Sequence, residues 1–171
     1  MDKCTNRQGA RSRIAEVRSR QYPCVRGSIQ TVVETGERFE TLALFPSVND
    51  DGTVAFVATL RAGGAGIFTV DEARISRIID TDGAFESFRD VLITNDGALV
   101  LSATPQAGSL GLFAGPDPEA DRILALGEPL LGSTVAEFAS NPVSVNAVGN
   151  VAIRARLTDG RQLILRADPA A

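Results

Sequence analysis

The chain contains no histidine and no tryptophan, and its 171 residues include one lysine, Lys3, one tyrosine, Tyr22, and two cysteines, Cys4 and Cys24. Without histidine there is no imidazole to serve as the base of a Ser-His or Cys-His pair, or to ligate zinc. A lone lysine removes Schiff-base chemistry in practice, and two cysteines without histidine are too few for a zinc site. No cofactor-binding pattern is read. No apolar run approaches the roughly 20 residues that a bilayer-spanning helix needs, and residues 1–26 hold no apolar core of the kind a secretory signal requires. Most enzyme templates fail on these absences.

What the chain does have is apolar content: 44% of its residues are apolar and 22% charged. That balance suits one globular domain, because disordered chains lack the apolar surface to bury. The formal charge of −4 is unevenly placed. Residues 1–26 carry Lys3, Arg7, Arg11, Arg13, Arg18, Arg20 and Arg26 against Asp2 and Glu16, a net +5 that leaves −9 for the rest. An arginine-rich arm on an acidic body can contact phosphates, so nucleic-acid contact through residues 1–27 is one reading. Only Tyr22 is there to stack on a base, and a solvated arm is the simpler account. Ile14, Val17 and Arg18 support one or two helical turns. Cys4 and Cys24 are read as free thiols. A bridge between them would close a loop of about 20 residues, worth about 3 kcal/mol in the chain-entropy account.

After the arm, one pattern recurs. Phe45-Pro-Ser-Val-Asn-Asp-Asp-Gly-Thr-Val-Ala-Phe56, Val91-Leu-Ile-Thr-Asn-Asp-Gly-Ala-Leu-Val-Leu-Ser102 and Pro142-Val-Ser-Val-Asn-Ala-Val-Gly-Asn-Val-Ala-Ile153 align on Asn49, Asn95 and Asn146, in steps of 46 and 51. A second marker, Gly66-Ile-Phe68, Gly111-Leu-Phe113 and a decayed Gln162-Leu-Ile-Leu165, repeats in steps of 45 and 51. The repeats run over about 28–73, 74–121 and 122–171, a single domain of 28–171.

Within each repeat the apolar period is near two, and Gly, Asn and Asp punctuate it, the pattern of short strands and tight turns. The first repeat predicts strands near Ile29–Val33, Ala43–Val48, Val54–Thr59 and Gly66–Thr69. The second predicts Ile75–Ile79, Phe88–Ile93, Leu99–Ala103 and Leu110–Ala114, and the third Ile123–Leu126, Val143–Val145, Val151–Arg156 and Leu163–Arg166. Asn49-Asp-Asp-Gly52 and Asn95-Asp-Gly97 place side-chain acceptors and a glycine where hairpin turns need them. The longest links fall between the first and second strands, in the third repeat at Gly127–Asn141. Phe56, Phe68 and Phe113 are predicted core, with Phe85, Phe88 and Phe138 packing under the long links.

The run Asn-x-x-Gly-x-x-Ala-Phe followed by Gly-Ile-Phe resembles the bacterial tandem-repeat proteins named for their NxxGxxAF motif. The match is complete over Asn49–Phe56 and partial over Asn95–Leu101 and Asn146–Ile153, where the phenylalanine is replaced and, in the second repeat, the glycine spacing shifts. The resemblance covers residues 28–171. It implies a repetitive, propeller-like β-domain and an exported or cell-surface setting, and it brings no catalytic residues.

Four strands in 45–50 residues suit a propeller blade, and rings hold about 4 to 8 blades. Three blades are too few, so the expected architecture is all-β, a six-bladed ring made by a homodimer. If blades begin after the long links, the last blade lacks a fourth strand, and Ile29–Val33 of a partner chain supplies it. The alternative fold is a β-trefoil, which also has three units of four strands.

Acidic turns are the polar candidates. Asp80-Thr-Asp82-Gly83 resembles the start of a calcium loop, yet position twelve is Val91 where that loop has Glu. Asp80 and Asp82 are therefore metal candidates that turn formation explains as well, and Asp50, Asp51 and Asp96 occupy repeated turn positions. Arg154, Arg156 and Arg161 have no counterparts in the other repeats and are the ligand-binding candidates. The leading function is a non-enzymatic binding or scaffolding module. The alternatives are a glycoside hydrolase using a carboxylate pair and nucleic-acid contact through the arm.

Overall fold

A computed structural model describes residues 29–141 and 144–168. The chain separates into units 1–30 and 31–171, and the second carries the fold. The basic arm, the short helix read at Ile14–Arg18 and the two cysteines lie outside the described residues, as do Pro142 and, from the predicted strand Val143–Val145, Val143.

The described residues hold thirteen strands and no helix, in three antiparallel sheets. Sheet one runs β1 (Phe39–Leu42), β3 (Val54–Leu60), β4 (Ala65–Asp71) and β5 (Arg74–Asp80), with the two-residue β2 (Ser47–Val48) also paired to β3. Sheet two runs β6 (Phe85–Ile93), β7 (Leu99–Pro105), β8 (Gly111–Phe113) and β9 (Arg122–Ala125). Sheet three runs β10 (Pro129–Leu130), β11 (Ser133–Ala139), β12 (Val151–Leu157) and β13 (Gln162–Ala167). The architecture is all-β and propeller-like. Strand pairing among the described residues stays inside each sheet, so no barrel shared by three units forms, as a β-trefoil would need.

Sheets and sequence repeats are out of phase by one strand. Ile75–Ile79, the first strand of the second repeat, is the outer strand of sheet one, and β9 is likewise the outer strand of sheet two. Ile29–Val33, predicted as a strand, has no strand structure here. Among the described residues sheet three has no outer strand beside β13, and its fourth strand is the short β10 on the opposite edge.

The long links are corrected as well. Gly127–Asn141 is mostly strand, since it contains β10 and β11, and β6 starts three residues before its predicted Phe88. The cause is a bulge in each inner strand, between Phe39 and Thr41, Phe85 and Ser87, and Val135 and Glu137. One extra residue inverts the alternation, so a period of two breaks there and the strand start is hidden. The residues before the bulges, Phe39, Phe85 and Val135, stand opposite Leu60, Pro105 and Leu157 and are all buried.

The core lies in three layers. Ala55, Val57 and Ile67 of sheet one meet Phe85, Val91, Ile93, Leu101 and Phe113 of sheet two. The other face of sheet two, Leu92, Val100, Leu112 and Leu124, meets Val135, Phe138, Ile153 and Leu157 of sheet three. On the far side of sheet one, Phe39, Phe56 and Phe68 form their own cluster with Val70. Phe39 meets Phe68 edge-on at 5.0 Å, and Phe85 meets Phe113 edge-on at 5.2 Å. Each buried phenylalanine contributes about 1.5–3 kcal/mol, so these ring pairs outweigh any surface ion pair.

Candidate functional site

β1, β6 and β11 are equivalent in pairing with β3, β7 and β12, the strands that follow the motif turns, and residues next to or within all three sheets line a hollow of about 150 Å³. Sheet one gives Phe45, sheet two gives Arg89, Asp90, Val91 and Leu92, and Ser140 and Asn141 follow β11. Where Asp90 pairs opposite Ser102, the third unit pairs Ala139 opposite Arg154, and in the first unit Ala43 donates its N–H to the Val57 carbonyl. Two units thus place an alanine where the middle unit places a carboxylate.

Arg89 is the second irregularity. It falls between Phe88, opposite Ala103, and Asp90, opposite Ser102, so β6 bulges a second time at this residue. Bulges re-aim side chains and collect next to functional sites. Here the bulge leaves Arg89 Nε 3.5 Å from Asp90 Oδ2. Burial raises the Asp90 carboxyl above its ordinary range, and the Arg89 charge pulls it the other way. A guanidinium and a half-buried carboxylate beside Phe45 can hydrogen-bond a small polar group and offer it an apolar contact.

The motif turns lie on a neighbouring hollow of about 170 Å³, lined from all three units by residues that include Asp50, Asn95 and Asn146. The first two turns clasp each other. Asp50 N–H donates to Asn95 Oδ1 at 3.0 Å, and Asn95 Nδ2 donates to Asp50 Oδ2 at 2.6 Å. Asn49 holds its own turn, accepting from Thr53 N–H at 2.9 Å. The Gly52 N–H to Asn49 carbonyl bond has its counterpart in Gly97 to Thr94 and in Gly149 to Asn146. The structural equivalent of Asn49 is therefore Thr94, not Asn95. The step from Asn49 to Thr94 is 45, matching the step from Gly66 to Gly111.

The residues singled out from sequence take quieter roles. Arg154 and Arg156 both clamp Glu137, each at 2.9 Å, on the exposed face of sheet three. Those two hydrogen bonds hold the Glu137 carboxyl below its ordinary range. Arg161 bonds Asp159 at 2.7 Å and the Leu131 carbonyl at 2.9 Å. The three arginines do not meet in a pocket. Asp80 pairs with Arg77 at 3.1 Å and accepts the Asp82 N–H, so both aspartates belong to the turn between β5 and β6. Among the described residues no group of three His, Cys, Asp or Glu is placed to hold a metal. Asp96 is bonded by the Thr94 hydroxyl and the Ala98 N–H, which lower its pKa.

Reading the sequence missed Arg89 and Asp90. The signal lay in the repeat itself, as two adjacent charges at the point where its neighbours place one alanine, and the bulge concealed the alignment that would have exposed them. Comparison with protein-family models, with curated proteins and with solved structures finds no match.

Proposed function

We propose that this chain is a non-enzymatic binding or scaffolding module, a propeller-type repeat of the bacterial NxxGxxAF kind, that holds a small polar group of a ligand or partner at Arg89 and Asp90. The observation that carries the reading is the break in the repeat, because a charged pair at a bulge has no part in the packing that the repeats share. The hollow is lined by one carboxylate, whereas glycoside hydrolysis uses two. That supports binding over the hydrolase alternative.

The test is a thermal-shift screen of sugars, amino acids and dicarboxylates against the whole chain, with each hit re-measured on Arg89→Ala and Asp90→Ala. A ligand at 100 times its Kd stabilises by about 2.7 kcal/mol, and both variants should lose that gain. Turnover of a hit, lost in Asp90→Asn, would replace this reading with the hydrolase, since a raised carboxyl is what a general acid needs.

A further inference from the structure

β4 lies between β3 and β5, and β8 between β7 and β9, but among the described residues β13 pairs only with β12. One edge of sheet three therefore lacks the strand that closes the other two sheets. The side chains show the same incompleteness. Phe68 and Phe113 are sealed, while Leu165, which takes their place opposite Ile153, is half-buried and Ile164 is 80% exposed. A free edge carrying apolar side chains is a template for strand addition.

The described residues also include a segment that joins none of the three sheets. Residues 29–33 lie 46 positions before Ile75–Ile79 of β5, and like β5 they stand a few residues ahead of an inner strand. They have no strand structure, and Ile29 is fully exposed. Val33, at the end of the segment, packs against the outer cluster of sheet one, as Ile75 does, which fixes where the segment leaves the body.

We infer that the free edge of β13 is a docking site for Ile29–Val33 of a second copy of this chain, and that two copies exchange these segments reciprocally. Each third sheet then gains its outer strand, and the pair holds six units, a number within the range that closes a propeller. Carrying over the β4–β5 register places Val33 opposite Ile164, Thr31 opposite Leu165 and Gln30 opposite Arg166. Leu163 stands where Gly66 faces the Ile79 carbonyl, so the incoming strand lies further out there than β5 does.

Light scattering on the eluting chain tests this, with 18.0 kDa as the single-chain mass. The natural chain should run at twice that value. Thr31→Pro, which removes a strand donor, and Ile164→Lys, which puts a charge on the edge, should each run at the single-chain mass with an unchanged far-UV spectrum. In a Cys4→Ser, Cys24→Ser background, Gln30→Cys with Arg166→Cys should form a covalent dimer on mild oxidation. A natural chain of single mass, or a doubled mass that both variants leave intact, overturns the inference. Neither result bears on the hollow at Arg89 and Asp90, whose test reads ligand binding.

Discussion

Gly66 and Gly111 show how much one hydrogen can matter. A Cβ on Gly111 would lie 2.8 Å from the Phe113 ring and 3.0 Å from the Leu124 carbonyl oxygen, and Gly66 is hemmed in the same way by Phe68 and Ile79. The Gly-x-Phe marker is thus one packing device, a ring folded back over a bare backbone. Gly111→Ala should cost about 1–3 kcal/mol in urea unfolding, through overpacking. A loss under about 0.5 kcal/mol would mean that the ring moves aside freely. Asp90 gives a prediction in pH. Its raised carboxyl keeps a proton to higher pH in the folded chain than in the unfolded one, so stability falls as pH rises through that window and stays lowered above it. Asp90→Asn should therefore gain in Tm over the natural chain as pH goes from about 3 to about 7. Glu137, Asp96 and Asp159 shift the opposite way, but they are present in both proteins and cancel in the difference. A difference independent of pH would show that the Asp90 charge is not desolvated. At this scale the sequence was readable for Phe56, Phe68 and Phe113, whose repeat positions forecast burial. It was not readable for Phe39, because the bulge after it shifts the alternation and leaves it looking like part of a link.

Among the elements, the hairpin from β4 to β5 departs furthest from ordinary turn chemistry, since its loop has no glycine at all, whereas the β10 to β11 loop Leu131-Gly132 keeps one. Asp71 pairs with Arg74, so the loop is Glu72-Ala73, and both residues have positive φ, 43° and 70°. Two-residue hairpins of this kind favour Asn-Gly, which adopt that backbone without a Cβ clash. Glu72→Asn with Ala73→Gly should raise stability by about 1 kcal/mol in urea unfolding. No gain would show that neighbouring structure already relieves the strain. The odd loop also explains why sequence placed the repeat boundary at residue 73. Nothing in Glu-Ala announces a turn, whereas Asn49 to Gly52 and Asn95 to Gly97 announce themselves. Central strands were the easiest to read. β7 is buried at five consecutive residues because sheets pack on both of its faces, and β12 alternates buried and exposed because only one face is covered.

At the level of the whole chain, the three sheets form a stack whose two ends differ. The outer face of sheet one is covered by an aromatic cluster over which Arg38 lies, 5.1 Å and 5.2 Å from two ring centres. The outer face of sheet three carries Arg154 and Arg156 on the single Glu137. Such exposed pairs contribute about 0–1 kcal/mol each, so they keep that face wet more than they hold it together. The number of units and their four-strand content were legible because turns and motif glycines recur at nearly fixed steps. Which strands share a sheet was legible from the long links, since blades begun after them put Ile75–Ile79 in the first sheet and Ile123–Leu126 in the second, as the pairing does. The one-strand offset between repeat and sheet has a consequence for how such chains arise. When a stretch of coding sequence is copied in tandem, the copied unit is the repeat, but the unit that folds is the sheet. Among the described residues the offset leaves Ile29–Val33 outside any sheet and β13 with one open edge. Under the exchange proposed above, that one-strand offset supplies both halves of the joint, the free segment and the open edge.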